Sequence, residues 1–375
     1  MTSVIILGST GSVGTQTLEV ISAFNRVALP KERIKVVGLA AKHDSELLKT
    51  QAERFQVKKV VVYERDGREV LLELAKSKAT FVVNAIGGYF GLFPSLAALS
   101  SKSTLLLANK ETLVSGGPLL DRYLKQIIPL DSEHSSIWQI LRNEDPADVR
   151  RVIITASGGP FFGKHIGQLF NASLEDALKH PTWSMGQVIT INSATLVNKA
   201  LELAEACALF RLPADKIEIK VERTSQVHAI VEFVDGSTSV QIAPPDMRIP
   251  ISVALGVHRR IPNEIESVDL TDVQKLAFLN VDNQAFPAIS LMRKCLAQGP
   301  LFATVYNAAN EILVEKFIQN EIGFLDIVSG IDQVVGQFTN TKSKLTLEDV
   351  KSADQWARER ADEIKLDLFD VINAF

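Results

Sequence analysis

The sequence predicts an α/β protein. Its parts are a Rossmann-type doubly wound N-terminal domain, an α+β catalytic domain and a C-terminal helical bundle. Three observations carry this. A buried strand opens the chain and runs into the glycine turn Gly8-Ser9-Thr10-Gly11-Ser12-Val13-Gly14. Short apolar runs then alternate with helical patterns up to about residue 131, the rhythm of a parallel sheet covered on both faces. From about residue 285 the periodicity is helical throughout, as in a small bundle.

The first apolar run, Val4-Ile5-Ile6-Leu7, precedes the glycine turn, and a helix is expected from Thr15 to Phe24. Strand, glycine turn and helix place backbone N–H groups and a helix N-terminus against a phosphate. The second strand, Ile34–Leu39, is followed by Ala40-Ala41-Lys42-His43. An NAD-preferring domain usually carries an acid at that strand end. Here the first charge is Lys42, which favours NADP(H), with an ordinary surface lysine as the alternative. Strands at Val60–Tyr63, Phe81–Ala85 and Thr104–Ala108 alternate with helices at Asp44–Phe55, Gly67–Lys76 and Leu92–Ser100. Asn109-Lys110-Glu111 follows a strand end, the edge where open α/β sheets bind ligands.

Next comes the acidic stretch Leu130-Asp131-Ser132-Glu133-His134. On an extended chain Asp131 and Glu133 project from one side, and two such carboxylates repel unless a cation or proton lies between them. A hard divalent ion is the natural occupant; a solvated connection is the alternative. Val152–Ala156 reads as a strand ending in Ser157-Gly158-Gly159-Pro160-Phe161, suited to an oxyanion or phosphate. The loop His180-Pro181-Thr182-Trp183-Ser184-Met185-Gly186 reads as a mobile flap. One amphipathic helix is expected over Ser193–Cys207, with Ser193 as its N-cap, Leu196, Ala200, Leu203 and Cys207 inward, and Asn198, Glu202 and Glu205 on the other face. Asn198 and Lys199 suit an anion, and Glu202 offers a further oxygen ligand.

Strands at Ile217–Arg223, His228–Phe233 and Thr238–Ile242 suit an antiparallel sheet. Residues 257–282 read as a linker, followed by helices at Ala285–Ala297, Leu301–Gln319, Gly323–Phe338 and Leu347–Phe375. The resulting division is 1–131, 132–256, the linker, and 283–375. The net charge of −4 and scattered basic residues argue against a nucleic-acid partner. Two cysteines rule out a disulfide framework and fit a reducing compartment. With no signal segment and no long apolar run, the expectation is a cytoplasmic protein that avoids membranes.

Taken in order, these motifs resemble the 1-deoxy-D-xylulose-5-phosphate reductoisomerase family over essentially the whole chain. Pro245-Asp246-Met247-Arg248 and Asn307-Ala308-Ala309-Asn310-Glu311 add to the match. The resemblance implies a homodimer acting on a sugar phosphate. It implies an NADPH- and divalent-metal-dependent rearrangement, by a retro-aldol/aldol route and hydride reduction, giving 2-C-methyl-D-erythritol 4-phosphate. The cation would be Mg²⁺ or Mn²⁺, with Co²⁺ as a third candidate. Carried over by motif, Asp131, Glu133 and Glu202 are metal ligands. Lys110, Ser132, Glu133, Ser157, His180, Trp183, Met185, Ser193, Asn198, Lys199 and Glu202 face the substrate, with Lys110, Glu133 and His180 closest to the chemistry. Thr10, Gly11, Ser12, Val13, Asn109, Glu111 and Gly186 face the cofactor, with Ala41, Lys42 and His43 in its 2′-phosphate region.

Two departures stand out. The family usually shows a Gly-Lys-Asn or Gly-Ser-Asn turn at 41–43, where this chain has Ala41 and His43. The family's His-Pro-Gln-Ser segment is replaced by Glu222-Arg223-Thr224-Ser225, with His228 kept; no chemical step is expected of it. Two rival readings remain at this stage. A semialdehyde dehydrogenase would need a nucleophilic cysteine, and an NADP-binding regulatory protein would leave the acidic residues without a role.

Overall fold

The computed structural model describes residues 2–183, 186–256, 260–262, 265–269, 271, 276–340 and 345–364. They form two compact units: Met1–Thr112 with Leu120–Arg142 and Asp246–Ser267, and Leu113–Leu119 with Asn143–Pro245 and Val268–Phe375.

The first unit is built on six strands: β1 (Thr2–Leu7), β2 (Ile34–Ala41), β3 (Val60–Val62), β4 (Phe81–Asn84), β5 (Thr104–Leu107) and β6 (Ile127–Pro129). All are parallel, in the order β3-β2-β1-β4-β5-β6. Strands covered on both faces need continuous apolar runs, and Val4 to Leu7 are fully buried accordingly. The helices are α1 (Ser12–Val27), α2 (Glu46–Arg54), α3 (Tyr63–Lys76) and α4 (Leu92–Ser100). Helix α1 turns Leu18, Ile21 and Phe24 into the core. It starts three residues earlier than expected because Gly11 serves as its N-cap without a side-chain bond. Helix α3 bends at Gly67, whose φ of 78° is open to glycine and costly for other residues. Strand order reverses between β1 and β4, so ligands belong at the ends of those strands.

Short helix α5 (Glu111–Gly116) follows β5, and α6 (Ser132–Leu141) follows β6. The second unit holds β7 (Val149–Ala156), α7 (Ile166–Leu169), α8 (Leu174–Ala177), α9 (Gln187–Ala194), α10 (Val197–Phe210), β8 (Ile217–Val221), β9 (Val227–Phe233) and β10 (Thr238–Ile242). Helix α11 (Arg248–Gly256) then returns to the first unit, packing Ile251, Ala254 and Leu255 into its core, whereas the sequence pattern assigns them to the 132–256 segment.

Strand β11 (Leu279–Asn280) lies in the expected linker and pairs antiparallel with β8. The second unit's sheet runs β10-β9-β7-β8-β11. It is mixed rather than purely antiparallel, because β7 and β8 are parallel. The closing helices are α12 (Ala288–Gln298), α13 (Pro300–Ile318), α14 (Phe324–Gln337) and α15 (Leu347–Glu363). Helix α13 is central: Tyr306 is fully buried and donates its hydroxyl to Ala288 O at 3.2 Å. Thr346 and Asp349 cap α15 reciprocally. The rest of the last expected helix, from residue 365, lies outside the described residues. No helix among the described residues is long and apolar enough to cross a membrane.

Candidate active site

At the glycine turn, the N–H groups of Gly8 and Ser9 both bond Ala40 O at 2.9 Å, tying the turn to β2. A Cβ on Gly14 would lie 2.2 Å from Gly8 O, and one on Gly8 would lie 2.6 Å from Ala85 O. The turn therefore admits no side chain at either position. Helix α1 has no acid in its first turn, so its positive end can face an anion. Thr10, Gly11, Ser12 and Val13 line that end and are exposed or half-buried. At the end of β2, Ala41 is buried whereas Lys42 and His43 are exposed. His43 Nδ1 lies 2.8 Å from Glu64 Oε2, so this basic end carries an acid of its own.

Beyond β5, Asn109 is buried and locked. Its amide donates to Gly88 O (2.9 Å) and Glu111 Oε2 (2.7 Å), and its carbonyl accepts from Thr112 N (2.8 Å). Lys110, also buried, reaches Asp131 Oδ2 at 2.8 Å. The extended geometry expected for Asp131 and Glu133 is not what forms. Asp131 is the N-cap of α6, accepting from Ser132 N at 3.0 Å, and Glu133 stands in the first helical turn. A carboxylate after a β-strand satisfies helix N–H groups better than it continues an extended run. Ser132 donates its hydroxyl to Glu133 Oε2 at 2.5 Å, and His134 is fully buried beneath.

In the second unit, Ser157 follows directly on β7. His180 Nε2 lies 3.0 Å from Ser157 Oγ and 3.1 Å from Ser193 Oγ. His180 Nδ1 accepts backbone N–H bonds from Thr182 (3.3 Å) and Trp183 (2.9 Å). The neutral ring thus carries its proton on Nε2, aimed at the two serine hydroxyls. Burial, then the charges of Lys199 and Arg223, pull its pKa down from 6.5 to about 4. Gly186 caps α9 and accepts from Thr190 Oγ1 at 2.9 Å. Met185 lies outside the described residues.

The expected single helix from Ser193 is two. Ser193 sits in the last turn of α9, and the chain breaks at Leu196, whose φ is 59°, before α10 begins. Most of the face read as polar is also buried: Glu202 and Glu205 lie inside, as does Lys199 at its flank, while Asn198 is half-buried. Lys199 Nζ donates to Glu202 Oε2 at 2.8 Å, and Asn198 Nδ2 donates to Oε1 at 2.5 Å. Two of the expected metal ligands, Asp131 and Glu202, are thus each paired with a buried lysine. Carboxylates that hold an ammonium in the interior are hard oxygen donors suited to a divalent cation, so the residues present fit that group.

In the sequence Arg223 stands only within a departure from the family pattern, yet its Nη1 donates to Ser157 O (2.5 Å) and Gly159 O (3.0 Å). A cation in an expected strand end was the only signal in the sequence. The cysteines fail the dehydrogenase reading. Burial pushes the Cys207 thiol up to about 11 and that of Cys295 to about 12, and neither is a ready thiolate.

A parallel six-stranded sheet in this order, with a glycine turn at its switch point that admits no side chain at Gly8 or Gly14, defines a dinucleotide-binding α/β class. Family models narrow this. One described as 1-deoxy-D-xylulose 5-phosphate reductoisomerase matches residues 4–78 and 65–117. C-terminal domain models of the same family match 127–210 and 242–360. A 1-deoxy-D-xylulose 5-phosphate reductoisomerase of Leifsonia xyli subsp. xyli is 45% identical over 96% of this chain and 97% of its own. One from Bifidobacterium longum is 42% identical over 96% and 97%. The solved structure of the 1-deoxy-D-xylulose 5-phosphate reductoisomerase from Zymomonas mobilis in complex with NADPH superposes with a TM-score of 0.86, at 35% identity over 96% and 98% of the two chains. A DOX-P reductoisomerase in complex with NADPH, fosmidomycin and magnesium gives 0.81 at 33% identity over 96% and 98%. The chain belongs to the 1-deoxy-D-xylulose 5-phosphate reductoisomerase family.

Proposed function

We propose that this protein converts 1-deoxy-D-xylulose 5-phosphate to 2-C-methyl-D-erythritol 4-phosphate, using NADPH and a divalent cation, Mg²⁺ foremost. The single observation that supports it best is the pairing of Lys110 with Asp131 and of Lys199 with Glu202, each at 2.8 Å. Such pairs set oxygen ligands and anion-binding cations side by side, as a metal-dependent sugar-phosphate reaction requires. Asp131, Glu133 and Glu202 act as ligands of one cation, which when bound polarises the substrate's ketone and hydroxyl oxygens. NADPH supplies the hydride.

The chain's own residues divide the remaining work. Lys110 places a positive charge beside the oxygens on which negative charge develops. Glu133, whose carboxylate accepts a hydrogen bond from the Ser132 hydroxyl, takes up the substrate's hydroxyl proton. Ser157, Ser193, Asn198, Lys199 and neutral His180 anchor the phosphate, whose binding energy helps bring the loop that carries His180 and Trp183 over the substrate. Thr10 to Val13, Asn109, Glu111 and Gly186 hold the dinucleotide, with Lys42 and His43 toward its 2′-phosphate. The protein works as a cytoplasmic homodimer.

NMR of the product tests the reaction class. Rearrangement puts the methyl group on a carbon without hydrogen, giving a methyl singlet. A doublet would mean simple reduction of the ketone and would reject the isomerase half of this reading.

A further inference from the structure

We propose that Arg223 is a positioning residue for the phosphate pocket: it braces the Ser157–Gly159 turn and adds a positive charge beside it. This rests on the reading that Ser157, His180 and Ser193 hold a phosphate dianion. Nη1 of Arg223 bonds the carbonyls of both Ser157 and Gly159, and its guanidinium lies 5.2 Å from the centre of the Phe162 ring. Both carbonyls belong to the turn whose Ser157 hydroxyl meets His180. Gly158 and Gly159 have φ of 81° and 64°, so this turn follows a path few side chains allow and gains from an external brace.

The brace is itself built. Glu222 is buried, and its carboxylate accepts from Thr224 N and Oγ1 (both 2.8 Å), Gln226 N (3.0 Å) and Val227 N (3.3 Å). That fixes the bend from which Arg223 projects. Ser225 Oγ, in the same bend, lies 3.0 Å from Thr182 Oγ1, so the segment also touches the loop carrying His180. Among the described residues, Nε and Nη2 of Arg223 have no hydrogen-bond acceptor, which leaves donors for an anion. Glu222-Arg223-Thr224-Ser225 is therefore a working part of the pocket.

The test compares wild type with Arg223→Met and Arg223→Lys. Arg223→Met should raise KM for the sugar phosphate about tenfold while kcat changes by less than roughly threefold. Arg223→Lys, which keeps the charge and loses the fork, should fall between. NADPH affinity and melting temperature should stay at wild-type values. Titration with inorganic phosphate, followed by tryptophan fluorescence, should show weaker binding in Arg223→Met by a similar factor. Unchanged KM and phosphate affinity in a folded Arg223→Met protein would overturn the proposal. A wild type that binds phosphate but leaves the sugar phosphate unreacted would instead reject the proposed reaction, with the Arg223 role still read from the phosphate titration.

Discussion

Lys199 bears most directly on how the pocket is built. Its ammonium and the Glu202 carboxylate are 8% and 1% exposed and stand 2.8 Å apart. At that separation the attraction is about 6 kcal/mol at an effective dielectric constant near 20, most of it offset by desolvation. Deleting one partner is costlier than the net value of the pair, because a buried charge is left behind, typically about 3–5 kcal/mol. In Lys199→Ala the bond from Asn198 to Glu202 survives, which points to the lower end, about 3 kcal/mol. The double variant Lys199→Ala/Glu202→Gln leaves no charge and should recover most of that loss. Lys199→Ala also removes the proposed phosphate anchor, so in that single variant KM for the sugar phosphate should rise at least tenfold, about 1.4 kcal/mol or more. Thermal melting in EDTA reads the first effect and steady-state kinetics the second. Additive destabilisation in the double variant, or an unchanged KM in Lys199→Ala, would refute the reasoning.

Other consequences are open to simple assays. Glu202→Gln should abolish turnover while the far-UV spectrum is unchanged; activity at ordinary Mg²⁺ concentration would exclude Glu202 as a ligand. His180 titrates near 4 in the folded chain against 6.5 ordinarily, so between those values the unfolded chain binds the proton and the folded chain does not. Its contribution to stability is therefore complete above pH 6.5 and lost as pH falls toward 4. His180→Asn should flatten that part of the stability–pH curve, and an unaltered curve would contradict a neutral, half-buried His180. Gly14→Ala sets a methyl 2.2 Å from Gly8 O, and should weaken NADPH binding by at least about tenfold, measured by cofactor fluorescence. Wild-type affinity would show that the turn plays no part in holding the dinucleotide.

Much of the first unit was legible because its strands are buried on both faces, and continuous apolar runs such as Val4–Leu7 admit few other readings. The glycine turn was legible for a related reason: steric exclusion at Gly8 and Gly14 leaves a mark in composition. The break before α10 left none, since Leu196 adopts a left-handed conformation with φ of 59° that the surrounding fold imposes on a residue that rarely takes it. Helical spacing put Asn198, Glu202 and Glu205 on one face correctly. It said nothing of burial, and a buried Lys199–Glu202 pair spells the same as a solvated one. Asp131 was read as extended because the cap and the strand compete for the same residue. Arg223 escaped because its partners are main-chain carbonyls more than sixty positions away, which no local pattern records.

The most direct test of the account follows NADPH absorbance in the presence of 1-deoxy-D-xylulose 5-phosphate, first with Mg²⁺ and then with EDTA. The account predicts oxidation that requires both the sugar phosphate and the metal. Oxidation that persists in EDTA would dismantle the role given to Asp131, Glu133 and Glu202, and no oxidation with any divalent ion would contradict the proposed reaction itself.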